Sequence, residues 1–242
     1  MLSVSDYDVL HCKVCCMSEC PSDEMRVAAL VSGLDSCVMV GLLAREYSEI
    51  TPIYVRAGLR WENAEVRALN YFFDALAEDA VQPMVEVHLG VGAFYGTHWS
   101  TGGLDVPDAN EPDDAWYLPG RNLALLSAAA IYGGTHAIKF LAIGILGSNP
   151  FPDATEDFFH SLEHTAGLAM NTAFHVLRPL QGMHKADVIR AGGAFPLELS
   201  LSCASPVQGK HCGVCGKCGE RRGGFIQAGI FDPTDYVGSI SG

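Results

Sequence analysis

Four cysteines lie within sixteen residues near the end of this 242-residue chain, at Cys203, Cys212, Cys215 and Cys218. The two-residue spacers between the last three let one turn present two sulfurs to the same ion, and Gly213 and Gly216 allow the backbone to turn there. Because Zn²⁺ prefers four soft ligands in a tetrahedron, the spacing predicts a structural zinc site with no open coordination position. A set of buried or redox-active cysteines is the alternative interpretation.

The remaining cysteines indicate the redox compartment of the protein and mark a segment that precedes the predicted domain. Nine cysteines, an odd number in CxxC-like spacings, favour a reducing cytoplasm and metal ligation over a disulfide framework. A second metal site is conceivable within residues 1–24, which hold Cys12, Cys15, Cys16, Cys20 and His11. We interpret this segment as an N-terminal extension of unknown role, and a chain beginning at Met25 is expected to fold and stay active.

Net charge indicates the class of ligand, and hydropathy indicates whether the chain enters a membrane. The net charge is -13, which does not suit direct binding to nucleic acid, whose phosphates attract basic surfaces, so a small-molecule ligand is expected. No apolar run reaches the roughly 18 to 20 residues that span a bilayer, and the first residues lack the apolar stretch of a signal peptide. These features predict a cytoplasmic protein that does not enter a membrane.

Strand-like and helix-like segments alternate from residue 25 to residue 191. The expected strands are 25–31, 51–55, 84–89, 138–143 and 174–177, and the expected helices are 36–47, 62–79, 123–131, 153–170 and 184–191. This alternation predicts an α/β fold with a doubly wound parallel sheet. We divide the chain into a nucleotide-binding domain at 25–202 and a zinc-binding segment at 203–242 that packs on the same domain. The acidic loop of about 90–118 is either a mobile lid over the ligand or a solvated insertion.

The turn after the first strand contains Ser32, Gly33, Leu34, Asp35 and Ser36 and leads into a helix. Backbone amides at such a turn converge on one point, and the helix dipole favours an anion there. The carboxyl end of a first strand is also where open α/β sheets bind ligands. The alternative is an ordinary helix start with Asp35 or Ser36 as the N-cap.

Two further motifs have an ordinary structural alternative. Arg121 and Asn122 follow a Pro-Gly turn, where a guanidinium suits a phosphate or carboxylate, although Asn122 could simply cap a helix. His160, Glu163 and His164 fit the H-x-x-E-H pattern of some zinc proteases. We interpret those three residues as part of a solvated helix face, since such proteases need a further ligand and a matching fold.

Together the motifs resemble the 7-cyano-7-deazaguanine synthase family, a branch of the PP-loop ATP pyrophosphatases, over about residues 26–233. The resemblance rests on the turn at 32–36, Tyr54 and Gly58, Leu118 to Asn122, Pro179-Leu180, His184 to Ile189, Ser202-Cys203, the remaining cysteines of the C-terminal set with His211 and Lys217, Arg221, Phe225, and Asp232-Pro233. It implies an adenine-nucleotide alpha-hydrolase-like fold. The C-terminal block is the most specific part of the match.

The resemblance implies a chemistry and a set of site residues. ATP would activate the carboxylate of 7-carboxy-7-deazaguanine as an acyl adenylate, ammonia would convert it to an amide, and further ATP-driven dehydration would yield the nitrile. Lys185 and Arg121 would neutralise the developing charge together with Mg²⁺, and the catalytic Asp35 would lie near the Mg²⁺ or the phosphates. The implied nucleotide-binding residues are Ser32, Gly33, Leu34, Asp35, Ser36, Tyr54 and Asn122. A homodimer is also implied.

Two departures from the family pattern leave other functions open. The family turn is Ser-Gly-Gly-x-Asp-Ser, and one glycine is absent from 32–36. The family segment Tyr-Pro-Asp-Cys-Arg is replaced by Phe151 to Thr155, so a cysteine and an arginine are missing. The chain could therefore adenylate a different acid or join it to another amine. It could also be a non-catalytic, zinc-stabilised nucleotide-binding module.

Overall fold

The computed structural model describes residues 25–102 and 105–238, which form a parallel sheet with helices on both faces. The strands are β1 (Arg26–Leu30), β2 (Glu49–Arg56), β3 (Val85–His88), β4 (Phe140–Ile143) and β5 (His175–Leu177). The helices are α1 (Leu34–Leu43), α2 (Glu62–Leu76), α3 (Gly92–Tyr95), α4 (Arg121–His136), α5 (Glu156–Met170), α6 (Lys185–Ala191) and α7 (Gly216–Ala228). The N-terminal cysteines and the proposed extension at 1–24 lie outside the described residues.

The sheet confirms the predicted doubly wound α/β class. Its strand order is β3-β2-β1-β4-β5, and every neighbouring pair is parallel. The chain therefore runs outward from β1 to one edge and then returns to β4 on the other side. In such sheets ligands bind beyond the carboxyl ends of the strands where the winding direction changes, which here is between β1 and β4.

Alternate residues of β1 enter two different hydrophobic cores. Val27 and Ala29 pack with α1, α2, α6 and α7, whereas Ala28 and Leu30 pack with α4 and α5. Successive side chains of a strand point to opposite faces, so a strand covered on both faces must be apolar throughout. This double burial explains why the sequence of β1 is a continuous apolar run.

Several element bounds differ from the predicted ones. The first helix begins at Leu34 and ends at Leu43, and α4 runs from Arg121 to His136 instead of 123–131. Helix α7 was not predicted. The loop of 90–118 is not structureless in its described part, since it contains α3 and short 3-10 turns at Trp99–Thr101 and Asp113–Trp116.

The residues of the H-x-x-E-H pattern lie on α5. His160 and His164 are exposed, and Glu163 Oε1 accepts a hydrogen bond of 2.6 Å from the backbone amide of Val176 in β5. Glu163 therefore joins a helix to a strand. Across the described ranges, no helix combines the length and the apolar character needed to cross a bilayer.

Candidate active site and metal centre

A cavity of about 640 Å³ opens at the carboxyl ends of β1, β2 and β4. The turn after β1 forms part of its wall, together with Tyr54, Arg121 and Lys185. Residues that are far apart in sequence therefore meet in one volume, at the place where doubly wound sheets bind ligands. The remaining walls come from the aromatic residues near α2 and from the C-terminal segment.

The turn at 32–36 is built to leave backbone amides free. Gly33 is the residue before α1 and has extended backbone angles, and the Ser36 hydroxyl accepts a 2.7 Å hydrogen bond from the Ser32 amide while donating to Gly33 O at 2.9 Å. In the described part of the chain, the amides of Gly33, Asp35 and Ser36 have no hydrogen-bond acceptor. A helix N-terminus with free amides is a favourable place for an anion.

The alternative interpretation, in which Asp35 or Ser36 is the N-cap of the helix, is wrong. Neither Asp35 nor Ser36 is the N-cap, since Gly33 occupies that position without a side-chain hydrogen bond. Ser36 lies inside the first turn and stabilises the approach to the helix. The Asp35 carboxylate is free of any capping role and is held by a lysine instead.

Lys185 lies between two carboxylates inside the cavity. Its Nζ is 2.8 and 2.6 Å from the two carboxylate oxygens of Asp35 and 3.0 Å from Oε1 of Glu220, and only 13% of its side chain is exposed. Burial lowers the pKa of Lys185, but the two carboxylates outweigh it and raise the pKa above its ordinary value. The site therefore carries a permanently charged ammonium beside the turn.

Arg121 and Asn122 occupy the start of α4 and also line the cavity. The residue before the helix is Gly120 with a φ of 72°, so Asn122 is not the N-cap. The Asp153 carboxylate accepts a 3.0 Å hydrogen bond from the Asn122 amide, and the Asn122 side chain donates to Asp153 O at 3.0 Å. Arg121 Nε is buried without a hydrogen-bond partner among the described residues, so this guanidinium retains a free donor.

Tyr54 and Glu65 form a buried pair at the end of β2. The Tyr54 hydroxyl donates a 2.8 Å hydrogen bond to Glu65 Oε2. Burial raises the pKa of Glu65 to about 7, although the bond from Tyr54 and the charge of Arg121 act in the opposite direction. Glu65 therefore titrates near neutral pH at the wall of the cavity.

A second carboxylate shapes the same wall. Glu62 Oε1 accepts hydrogen bonds from the amides of Ala57, Gly58 and Leu59 at 2.6, 2.8 and 2.9 Å. Gly58 has a φ of +89°, which an L-residue adopts only with strain. The carboxylate and the glycine together fix the turn that follows β2.

Aromatic rings line the cavity. Trp61 stacks on Trp99 with ring centroids 5.8 Å apart, and Tyr117 stacks on Phe151 at 4.9 Å. Trp99 also donates a 3.2 Å hydrogen bond from Nε1 to Ala115 O, which connects two parts of the loop at 90–118. Flat apolar walls of this kind suit a planar heteroaromatic ligand.

The four C-terminal cysteines converge as predicted. Their sulfurs all lie within 4.8 Å of one another, with separations of 4.0 Å for Cys203–Cys215, 3.9 Å for Cys212–Cys218 and 3.6 Å for Cys215–Cys218. All four residues are buried. Backbone amides add N–H···S hydrogen bonds, from Cys212 to Cys203 at 3.3 Å and from Cys215 to Cys212 at 3.4 Å. This cluster can hold a metal ion.

Two buried polar residues attach the C-terminal segment to the domain. Arg221 donates to Thr234 Oγ1 at 2.6 Å, Ser200 Oγ at 2.9 Å and Leu197 O at 2.7 Å. Burial lowers the pKa of His211 to about 3, so its ring is neutral and Nε2 accepts a 3.0 Å hydrogen bond from the Ser202 amide. Each of the three guanidinium nitrogens of Arg221 therefore donates a hydrogen bond, which offsets the cost of burying its charge.

The structure brings the predicted nucleotide-binding and catalytic residues other than Leu34 together in one cavity and adds partners that the sequence did not indicate. Every proposed nucleotide or charge-neutralising residue except Leu34 lines the cavity, and Leu34 itself is buried at the start of α1. Sequence reasoning did not nominate Gly144, Glu62, Glu65, Asp153, Ser202 or Glu220 as site residues, although Ser202 and Asp153 lie in segments that were compared with the family pattern. A Cβ at Gly144 would lie 3.2 Å from the Ser36 amide nitrogen, a tight contact with backbone that favours glycine after β4. The sequence signal that could have identified Gly144 is a glycine directly after a predicted strand.

Comparison with known proteins gives a consistent result. A family model described as queuosine biosynthesis protein QueC matches residues 25–229. A 7-cyano-7-deazaguanine synthase from Methanothrix thermoacetophila is 32% identical over 229 residues, covering 87% of this chain and 98% of the relative. The enzyme of the same name from Anaeromyxobacter dehalogenans is 31% identical over 237 residues, covering 91% of this chain and 100% of the relative.

Solved structures resemble the chain more distantly. The U34-tRNA thiolase NcsA from Methanococcus maripaludis has a TM-score of 0.48 and 16% sequence identity, covering 91% of this chain and 77% of that one. A likeness at this level carries no argument about function.

Proposed function

The chain belongs to the QueC family, and on that premise we propose that it is an ATP-dependent synthase that converts 7-carboxy-7-deazaguanine and ammonia to 7-cyano-7-deazaguanine. One observation carries the proposal. The turn at 32–36 places three free amides beside the Lys185 ammonium, in the same cavity as Arg121. Free amides and fixed cations are what a leaving pyrophosphate needs.

In the first step a carboxylate oxygen of the acid attacks the α-phosphorus of ATP. The bond from that phosphorus to the bridging oxygen breaks, which gives an acyl adenylate and pyrophosphate. The amides of Gly33, Asp35 and Ser36 hold the departing pyrophosphate, and Lys185 neutralises its charge. These groups are in place before the reaction, so little reorganisation is required.

In the second step the nitrogen of ammonia attacks the acyl carbon, AMP leaves, and the nitrogen loses a proton to give an amide. A further ATP-driven step removes the amide oxygen with both amide protons and leaves the nitrile, with the elements of water ending in AMP and pyrophosphate. Arg121, which retains a free buried donor, stabilises charge on the acid side of the cavity.

Mg²⁺ would be held jointly by the nucleotide phosphates and one carboxylate. Asp35 fits that role because its carboxylate lies in the turn and is not a helix cap. Magnesium at phosphate sites commonly takes one or two protein carboxylates and keeps several waters. Asp35 would then face both the ion and the Lys185 ammonium.

Zinc is the metal that we propose for the four cysteines. A tetrahedron with metal–sulfur bonds of about 2.3 Å has edges of about 3.8 Å, and three of the sulfur pairs are 3.6, 3.9 and 4.0 Å apart. A four-iron cluster would hold its thiolates further apart, because irons and sulfides lie between them. The ion would stabilise the fold and take no part in the reaction. Metal analysis of reduced protein should find one zinc per chain, and protein without zinc would contradict this assignment.

A second candidate function is adenylation of a different acid, or transfer of the acyl group to another amine. Phe151 lines the cavity and stacks on Tyr117, and the segment at 151–155 contains no arginine. An aromatic pair there favours a flat ligand but supplies no cation for a second carboxylate or an acidic substituent. The size and charge of the acid are therefore the properties on which the candidates differ.

One assay separates these functions from the non-catalytic module. The protein is incubated with Mg²⁺-ATP, ammonia and a panel of acids that includes 7-carboxy-7-deazaguanine, and AMP, pyrophosphate and product mass are measured. The proposal expects acid-dependent AMP and the mass of the nitrile. AMP with another product mass supports the second candidate, and ATP binding without AMP supports the module.

The remaining partners are proposed from the family alone. We propose free ammonia as the amine source, no direct contact with nucleic acid, a homodimer, and a reducing compartment in which the thiols stay available to metal. Size-exclusion chromatography with light scattering tests the homodimer, which a monomeric mass would contradict.

A further inference from the structure

Ser202 connects the C-terminal segment to the turn at 32–36. We infer that its hydroxyl is a phosphate-binding group of the nucleotide site, which accepts a hydrogen bond from the Leu34 amide and donates one to the phosphates. This inference rests on the proposed function of the turn. It assigns part of the phosphate site to a residue 168 positions away from it in sequence.

The contact between Ser202 and the turn is close. Ser202 Oγ accepts a 3.1 Å hydrogen bond from the Leu34 amide, and Ser202 lines the cavity. A Cβ added at Gly33 would lie 3.0 Å from Ser202 Oγ and 3.1 Å from Leu201 O. A side chain at position 33 would therefore press on Ser202 and on the Leu201 carbonyl, so glycine favours this close approach.

The geometry leaves the hydroxyl proton of Ser202 available. Its oxygen is an acceptor for Leu34, and no acceptor for its proton exists within 25–102 and 105–238. A hydroxyl that accepts a hydrogen bond becomes a better donor, because chains of hydrogen bonds polarise one another. The turn thus offers the free amides of Gly33, Asp35 and Ser36 together with one hydroxyl. That hydroxyl adds a donor to a turn that has one glycine fewer than the family pattern.

Ser202 is itself held firmly by the metal-binding segment. Its amide donates to His211 Nε2 at 3.0 Å, and the residues that follow Ser202 and His211 are Cys203 and Cys212. The Cys212 amide in turn donates to Cys203 Sγ at 3.3 Å. The two chain segments that carry Cys203 and Cys212 therefore fix the position of the Ser202 hydroxyl.

The test compares Ser202→Ala with Ser200→Ala, which removes another hydroxyl two residues away. Ser200 Oγ accepts from Arg221 and donates to Leu197 O at 2.6 Å, outside the cavity. By calorimetry, Ser202→Ala should weaken ATP binding about tenfold, with the KM for ATP raised similarly and the KM for the acid unchanged. Ser200→Ala should lower the melting temperature and leave both ATP values unchanged. Both variants should keep their bound metal.

A second readout does not depend on nucleotide binding. Hydrogen–deuterium exchange of a peptide covering 31–37 should be faster in Ser202→Ala than in the wild type, since the Leu34 amide loses its acceptor. Ser200→Ala should leave that exchange unchanged. If Ser202→Ala matches the wild type in ATP affinity or in exchange at 31–37, the inference is overturned. Wild-type protein that binds no ATP but still loses protection at 31–37 on substitution would instead contradict the proposed function.

Discussion

At the scale of single residues, the position of Lys185 explains the electrostatics of the site. Its ammonium lies 2.6 Å from Asp35 and 3.0 Å from Glu220, and the carboxylates are supplied by the turn and by α7. Glu220 is also 3.1 Å from Lys217, so the charges alternate along a short network. The two carboxylates hold the ammonium in one place and offset its charge as long as no phosphate is bound.

Replacing Lys185 should affect the reaction far more than the fold. We expect Lys185→Ala to reduce AMP formation by about a hundred- to a thousandfold, the usual effect of losing one preorganised donor. Zinc content should be unchanged. The control is Lys210→Ala, which removes an exposed lysine paired with Asp235 outside the cavity and should retain full activity. Equal rates of pyrophosphate release in the two variants would exclude the role of Lys185.

Ionisation of Glu65 should lower the free energy of unfolding as the pH rises from 4.5 to about 7. Burial raises its pKa from 4.5 to about 7, so the folded protein binds this proton more tightly than the unfolded chain does. The stabilising contribution is complete below pH 4.5 and is lost as the pH rises to about 7, by about 3 kcal/mol in total. Glu65→Gln should therefore lose less stability than the wild type between pH 4.5 and 8.

Denaturant unfolding at several pH values measures this difference. The exposed Glu78 provides the control, since Glu78→Gln should follow the wild-type profile. Parallel profiles for Glu65→Gln and the wild type would mean that Glu65 does not titrate in this range.

At the scale of helices and strands, α7 shows why part of the fold could not be predicted. It contains Gly216, Gly219, Gly223 and Gly224, and glycine lowers helix propensity by about 1 kcal/mol each. The helix forms because Phe225 enters the core and Arg221 is buried with its donors paired. These are tertiary interactions, and no periodic pattern along the sequence reports them.

The two adjacent glycines of α7 should respond oppositely to alanine. A Cβ at Gly224 would collide with Lys185 Cγ and lie 2.8 Å from Ile189 Cδ1, whereas nothing lies within 4 Å of a Cβ at Gly223. We expect Gly224→Ala to destabilise the protein by about 1–3 kcal/mol, since overpacking forces α7 away from α6. Gly223→Ala should be stabilising by roughly 0.5–1 kcal/mol. Thermal unfolding measures both, and stabilisation by Gly224→Ala would mean that the helices can separate at no cost.

The metal-binding segment should be necessary for stability. Cys215→Ser should remove the bound metal and cost about 3 kcal/mol or more, which corresponds to a melting temperature lower by roughly 10 °C. Cys37 is a buried cysteine outside the set, and burial raises the pKa of its thiol, so Cys37→Ala is the control that keeps the metal. A Cys215→Ser protein with the wild-type melting temperature would show that the cysteines are not a structural metal site.

At the scale of the whole molecule, the sequence predicted a doubly wound parallel sheet but not the order of its strands. Continuous apolar strands such as β1 indicate burial on both faces and hence a parallel sheet, and the turn at 32–36 locates the first carboxyl end. The order β3-β2-β1-β4-β5 places this turn next to the end of β4. That juxtaposition favours glycine at position 144, because a Cβ there would lie 3.2 Å from the Ser36 amide nitrogen.

The partners of the site are the part that sequence reasoning could not supply. Asp35 and Lys185 are 150 positions apart, and Leu34 and Ser202 are 168 apart. Motif spacing can nominate each residue, but contacts over such distances depend on the packing of α6, α7 and the cysteine segment against the sheet. Local capping rules failed at Asp35 and Asn122 for the same reason, since each side chain has a distant partner.

The central claim is that this cavity activates a carboxylic acid with ATP, and one measurement tests it most directly. Wild-type protein loaded with zinc is mixed with 7-carboxy-7-deazaguanine, ammonia and ATP labelled at the α-phosphate, and AMP is followed with and without the acid. The account predicts that AMP appears only when the acid is present and that mass spectrometry detects 7-cyano-7-deazaguanine. Folded, zinc-containing protein that forms no acid-dependent AMP would contradict it.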